Sequence, residues 1–480
     1  MTVTLAPHPT DRSAPATLPW IRVAPGAPYF ETEAGEPWAP IGQNDAVTWP
    51  ELAGLFRRRD LAGVEGHLRW LQGHGVTVLR LMLEYAHGEN RYIERPAGVF
   101  QPNMVRLWDD LFALCERVGM RILLTPFDTF FTWRRWAKHP YNRANGGPCP
   151  DRSQLLVCPD TREAIKRRME FATRRWGGSG ALFAWDLWNE FHPAQADRRA
   201  HEYGAIIGDL SRFMRELEVR VHGRAHPQTV SVFGPELFWN PELVEPILRH
   251  PDLDFANSHF YEHGTIDDPR NTVDAAISVG RLVRHALGET PPERPFFDSE
   301  SGPIHTFKDR HKTLPEPFDD EYFRHMQWAH FASGGAGGGM RWPNRHPHVL
   351  THGMRRAQRA LASFLPLLDW SRFHRRNLND ELELSSPALA AFACGDASQA
   401  LVWLLRRDQI GRDGRVRADV EPCPADIRIP GLAPGRYRVT SWDTSLGEIR
   451  DVREATATAD GLRLALAPVL TDVALAVRRA

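Results

Sequence analysis

The 480-residue sequence predicts an α/β protein, a (β/α)8 barrel followed by a C-terminal all-β sandwich. Three observations carry that prediction. Eight short apolar runs alternate with segments of helical period between residues 29 and 370. Two of those runs, at 182–190 and 295–300, end in a glutamate, as buried strands do where they surface beside a site. After Trp370 the pattern shifts to short alternating runs separated by turn residues such as Ala433-Pro434-Gly435. The expected domains are a disordered arm (1–28), a TIM barrel (29–370) and a β-sandwich (371–480).

Taken in order, Tyr29-Phe30-Glu31 and the stretch 37–41 read as a hairpin leading into a first buried strand that ends at Gly42-Gln43-Asn44-Asp45. A helix over 60–73 follows, with Val64, Leu68 and Leu71 on one face. The second strand, 76–83, is apolar except for Arg80, and a cation inside such a strand requires an acidic partner. Met104, Leu107, Leu111, Leu114 and Val118 mark the next helix, and 121–126 the third strand, which ends at Phe127-Asp128. A long loop is expected over 129–159, then a helix over 161–175 and the fourth strand from Leu182. The helix over 203–221 has the clearest apolar stripe. Strands at 229–233, 255–261, 296–299 and 337–342 complete the eight, with helices at 273–287, 321–332 and 355–364. Beyond them, short strands are expected at 388–394, 400–405, 426–429, 437–442, 462–466 and 472–477.

Composition narrows the function. A net charge of -1 gives no electrostatic basis for binding nucleic acid or an anionic membrane. No stretch has transmembrane length, and the Pro- and Ala-rich start carries no signal-peptide core, so a cytoplasmic protein is expected. Five cysteines without metal spacing read as free thiols. His346, His348 and His352 lack an acidic or thiol partner at metal-binding spacing, so no metal or other cofactor is expected. Oligomeric state is not set by these features.

Two strand-end glutamates, Glu190 and Glu300, lie 110 residues apart, about 37 per repeat over three repeats. Paired carboxylates on one cleft suit glycoside cleavage, in which one protonates the leaving oxygen and the other attacks the anomeric carbon. Either glutamate alone would read equally well as a helix cap. Together with Arg80 they favour catalysis.

Trp188-Asn189-Glu190 on the fourth strand, with Ser299-Glu300-Ser301-Gly302 on the seventh, resembles the retaining β-glycosidases of glycoside hydrolase clan A, above all family 5, the cellulase and mannanase family. The resemblance spans residues 29–366. It implies Glu190 as acid/base and Glu300 as nucleophile, Asn189 on the sugar 2-hydroxyl, and Arg80 beside Glu300. His259 and Tyr261 resemble the family's His-x-Tyr, with the tyrosine on the nucleophile and the histidine on the acid/base side. Trp342 resembles the tryptophan that floors the cleaved sugar's subsite. Two departures stand out: the proline usual after the fourth-strand glutamate is displaced to Pro193, and Asp128 stands where a histidine is common.

From residue chemistry alone, Asp128 is a candidate hydroxyl-binding group, with Asn44 a weaker one. Trp133, Trp136 and Tyr141 divide between loop packing and outer-subsite stacking, while Glu84 and His87 divide between substrate contact and solvent. The expected reaction is retaining hydrolysis of an oligosaccharide or glycoside, a β-glucoside, β-mannoside or similar. The alternatives are a transglycosylase using the same residues and a non-catalytic carbohydrate-binding protein.

Overall fold

The computed structural model describes residues 18–84, 92–304, 313–345 and 348–480. The chain opens with an antiparallel sheet of β1 (Ile21–Val23), β2 (Phe30–Thr32) and β3 (Pro37–Trp38). The expected hairpin is β2–β3, but order begins before residue 28. Trp20 is buried with its ring 3.6 Å from His226, and Ile21 enters the core. A three-residue strand is too short to leave a period in so Pro-rich a stretch.

Five strands form one parallel sheet in chain order: β4 (Gly42–Asn44), β5 (Val78–Met82), β6 (Arg121–Thr125), β7 (Leu182–Asp186) and β8 (Gln228–Thr229). β5, β6 and β7 are buried at every position, because helices cover the sheet. The intervening helices are α1 (Leu61–Gly73), α2 (Pro102–Val118), α3 (Thr129–Arg134), α4 (Pro159–Trp176) and α5 (Tyr203–His222). Asp60 caps α1 through the amide of Gly63, and Val64, Leu68 and Leu71 are its buried stripe. The region 129–159 is not the expected open loop: it holds α3 and several 3-10 turns.

Next come α6 (Glu236–Trp239), β9 (Ala256–Asn257), α7 (Thr272–Glu289), β10 (Phe296–Phe297), α8 (Glu316–Ala332) and α9 (His352–Phe364). β9 and β10 pair in parallel. Single parallel bridges join the remaining edges: Phe233 to His259, Ser301 to Arg341, and Gln43 to Arg341. The run at 337–342, expected as a strand, makes only those bridges at Arg341. Gly337 and Gly339 have φ of +148° and +71°, which breaks an extended run.

The C-terminal region is antiparallel. One sheet runs in the order β11 (Arg376–Asn377), β13 (Leu389–Gly395), β14 (Gln399–Arg406), β19 (Asp472–Arg479), β16 (Gly435–Asp443), β17 (Glu448–Ala457). The other has the order β12 (Glu383–Leu384), β15 (Cys423–Ile429), β18 (Leu462–Val469). Alternation along β14 splits its side chains between two cores. Val402 and Leu404 meet Ile427, Ile429 and Leu464 of the smaller sheet, whereas Leu401, Trp403 and Leu405 join the core of the α/β part. β17, like the two-residue strands β11 and β12, has no counterpart among the strands expected from the sequence. It lies at the sheet edge with a largely exposed, charged sequence, so no apolar alternation marks it. Among the described residues no helix is long and apolar enough to cross a membrane.

The seam between the two parts carries a buried ion pair, Arg324 to Asp472 at 2.8 Å, with Trp403 Nε1 donating to the same carboxylate at 3.0 Å. Burial alone would raise the Asp472 carboxyl, but Arg324, His325 and Thr444 outweigh it and hold the group well below the usual carboxylate range. A carboxyl depressed in the folded state stabilises fully above its unfolded value of about 4 and loses that contribution as pH falls below it. Asp472→Asn is therefore expected to cost about 3–5 kcal/mol at pH 7, with a deficit in Tm that narrows below about pH 4, as read by thermal unfolding across pH.

Candidate active site

Arg80 is the third residue of β5, and its side chain, with no exposed surface, crosses the interior at the carboxyl ends of the parallel strands. One terminal nitrogen, Nη1, donates to Asn44 Oδ1 (2.9 Å) and Glu300 Oε2 (3.0 Å). The other, Nη2, donates to Asp186 Oδ2 (2.7 Å) and to Asn189 Oδ1. The acidic partner required by a cation in this strand is thus two residues, one from β7 and one from beyond β10. Burial works against the guanidinium charge, but Asp186 and Glu300 more than offset it.

Glu190 follows β7 at φ +52°, in the left-handed region that non-glycine residues seldom adopt. Its amide donates to Ser231 Oγ at 3.1 Å. His259 stands between the two glutamates, with Nδ1 2.9 Å from Glu190 Oε1 and 3.8 Å from Glu300 Oε2. One oxygen of Glu190 and one of Glu300 lie within 4.8 Å of each other. Tyr261 Oη donates to Glu300 Oε1 at 2.7 Å.

Burial pushes the Glu190 carboxyl up to about 7, with Asp186 and Glu236 adding to the rise and Arg80 opposing it. Glu300 is also raised by burial and by Glu190, against the pull of His259, Arg80 and the Tyr261 hydroxyl. Burial lowers His259 to about 4, so its imidazole is neutral at neutral pH. Tyr261 is held well above the usual phenol range, by burial and then by Glu300, and remains a donor.

Several candidates take other places. Asp128 is buried and caps α3, accepting from the amides of Phe130 (3.3 Å) and Phe131 (2.6 Å), while its Oδ1 also accepts from Asn189 Nδ2. It orients Asn189 instead of opening to a sugar hydroxyl. The Asp128 carboxyl is raised to about 8, chiefly by burial. Glu84 is neither solvent-facing nor in the cleft: it pairs with buried Arg168 and His139 and accepts from the Asp128 amide at 3.1 Å. Tyr141 is fully buried and donates to Ala164 O at 2.9 Å, which decides for packing. Asn44 Nδ2 donates to Ser299 O at 2.8 Å, so this side chain braces Arg80 from within the wall.

At the rim, Trp133 is half-buried with its ring edge 4.3 Å from His192, and His192 Nε2 lies 3.3 Å from Glu236. Trp136 is likewise half-buried, stacked on His139. Trp342 is 6% exposed and packs edge-on against Trp49 at 5.2 Å. Trp49 in turn stacks on His348, whereas His352 begins α9 against Trp70. His87 and His346 lie outside the described residues.

Asp186, Ser231 and Ser299 join the site without having stood out in the sequence as site residues. Ser231 Oγ donates to Asp186 Oδ2 at 2.9 Å, and Ser299 Oγ lies 3.1 Å from His259 Nε2. A signal existed for the first: Asp186 is the one carboxylate inside the apolar run of β7, as Arg80 is the one cation inside β5.

No protein-family model matches the sequence, and no curated protein matches it either. Solved structures do. A glycoside hydrolase superposes with a TM-score of 0.60 at 12% identity, covering 96% of this chain and 98% of its own. A glycoside hydrolase family 5 protein from Bacteroides vulgatus gives 0.58 at 11% identity, over 96% and 95% of the two chains. The endo-1,4-β-D-mannanase of Thermotoga petrophila gives 0.51 at 15% identity, over 68% of this chain and 100% of its own. The fold is one that this chain shares with these glycoside hydrolases. At these identities the likeness is one of backbone, and the case for chemistry rests on the side chains above.

Replacing Arg80 by Met would leave Asp186 and Glu300 facing each other without their shared cation. The expected loss is about 3–5 kcal/mol of folding free energy in denaturant titration; a loss below about 1 kcal/mol would deny Arg80 its supporting part.

Proposed function

We propose that this protein is a retaining glycoside hydrolase acting on a β-linked oligosaccharide or glycoside, a β-glucoside or β-mannoside, by double displacement. The observation that carries the reading is the approach of Glu190 and Glu300 oxygens to within 4.8 Å. Retaining enzymes hold their carboxyl groups about 5–5.5 Å apart, whereas inverting enzymes need about 6.5–9.5 Å to admit a water. The glycoside hydrolase fold supports it, as do the parallel bridges at Arg341, from which we infer that the strands close into an eightfold ring. The antiparallel C-terminal sheets would then form a sandwich whose larger sheet braces α8.

In this reading the pair shares its charge unequally. Arg80 and Tyr261 donate directly to Glu300, so Glu300 carries the negative charge and Glu190 keeps the proton. Glu300 attacks the anomeric carbon as the glycosidic C–O bond breaks, and the Glu190 proton goes to the departing oxygen. Water then enters, Glu190 accepts its proton, and the hydroxide oxygen displaces Glu300 from the sugar. His259, neutral, bonds Glu190 without competing for that proton. Asn189, steadied by Asp128, would meet the 2-hydroxyl, and Trp342 and Trp133 would face sugar rings.

Activity should require protonated Glu190, so kcat/KM declines as pH rises through about 7, and it declines on the acid side as Glu300 is neutralised. Glu190→Gln should lower kcat/KM about 10²- to 10⁴-fold on alkyl glycosides while largely sparing glycosyl-enzyme formation from dinitrophenyl glycosides, which leave without a proton. The deciding experiment is incubation with 2-deoxy-2-fluoro-glycosyl fluorides followed by peptide mass mapping. A label on Glu300 is expected; a label elsewhere, or an inverted first product by NMR, overturns the proposal.

A further inference from the structure

A second group of ligating side chains lies away from the cleft, on the outer side of β4. Alternation along this strand sends Asn44 inward to Arg80, while Gln43 and Asp45 face the surrounding helices. There one oxygen of Asp45, one of Glu51 and one ring nitrogen of His67 lie within 4.8 Å of one another. Asp45 is 4% exposed, and the side chains of Glu51 and His67 are 14% and 15% exposed. They come from the end of β4, the loop after it and the middle of α1.

These groups converge without satisfying one another. Asp45 Oδ1 accepts from the Ala46 amide at 2.7 Å, but Asp45 Oδ2 is fully buried with no hydrogen-bond partner among the described residues. His67 Nε2 is likewise buried and unbonded, 3.5 Å from Glu51 Oε2. Arg355 does not close the group. Its Nη1 donates to Gln43 at 2.8 Å and Gln358 at 3.1 Å, and its Nη2 stands 3.7 Å from Glu51, beyond hydrogen-bond range. Two ionised carboxylates against one guanidinium would leave a residual negative charge in a desolvated place, so burial raises both carboxyls, and either a proton or a cation has to compensate the group. The 3.5 Å separation of Nε2 and Oε2 matches the edge of a tetrahedron with bonds of about 2.1 Å, the usual metal–nitrogen and metal–oxygen length for zinc.

We propose that Asp45, Glu51 and His67 form a binding site for one divalent first-row cation of the zinc type, which pins the loop after β4 to α1. Water completes the coordination. The site is structural: Asn44 separates it from Arg80, and no sugar chemistry passes through it. This proposal stands apart from the glycosidase reading, and either can fail alone.

The test uses the full chain, stripped with a chelator and dialysed, then titrated with Zn²⁺ at neutral pH. The expected result is one zinc per chain by elemental analysis and a rise of several degrees in Tm that the chelator reverses. Co²⁺ in its place should give the visible d–d bands of a low-coordinate nitrogen–oxygen site. His67→Gln and, separately, Glu51→Gln should abolish both the stoichiometric zinc and the Tm response, with hydrolytic activity unchanged. Absence of any Tm response together with substoichiometric zinc overturns the site. So does retention of one zinc per chain by both variants, which would put the metal elsewhere in the chain. If a variant fails to fold, a spectrum of hydrated Co²⁺ alone in the unaltered protein still overturns the proposal.

Discussion

The interior of this protein is built around a guanidinium that cannot leave. Arg80 has no exposed surface, and its two terminal nitrogens bond side chains carried by β4, by β7 and the residues after it, and by the segment beyond β10. Desolvating a charge costs several kcal/mol, so such a group is tolerated only when acceptors surround it. That requirement sets the register in which the strands must meet. Asp186 and Glu300 come from segments more than 100 residues apart and reach different nitrogens of the same cation. Arg80 is a structural keystone and, through Glu300, an electrostatic one.

The electrostatics of the two glutamates follow from what surrounds each. Both are buried, and burial alone would neutralise both. Glu300 has a phenol and a guanidinium donating to it; Glu190 has a neutral imidazole and the more distant carboxylates Asp186 and Glu236. Two like groups are thereby made unlike, one suited to hold charge and one to hold a proton. Behind them, Arg168, Glu84, Asp128 and Asn189 continue the same logic in a buried polar chain that fixes Asn189 in orientation.

The C-terminal sheets belong to the same packing problem. β14 is buried on both faces because its alternate side chains complete two different cores, one within the C-terminal region and one against α8. Arg324 and Asp472 close that seam with a charge pair.

Local chemistry made much of this protein legible from residue order alone. Apolar runs such as β5, β6 and β7 must be buried, and polar residues ending such runs must surface at strand ends, so Glu190, Glu300 and the need of Arg80 for an acid were all readable. Periodicity works over a few residues, and these features are that short. What it does not reach is contact between distant segments. Asp128 and a substrate-binding aspartate look alike in one dimension, and its task as a cap for α3 and a brace for Asn189 was settled only when α3 formed beside it. The same holds for Glu84, drawn inward by Arg168, for the short strand β1, and for the solvent-facing edge strand β17. The residue order determined which side chains would stand at the ends of buried strands; the tertiary structure alone decided which of them meet, because partner choice among buried charges depends on where the backbone brings their atoms.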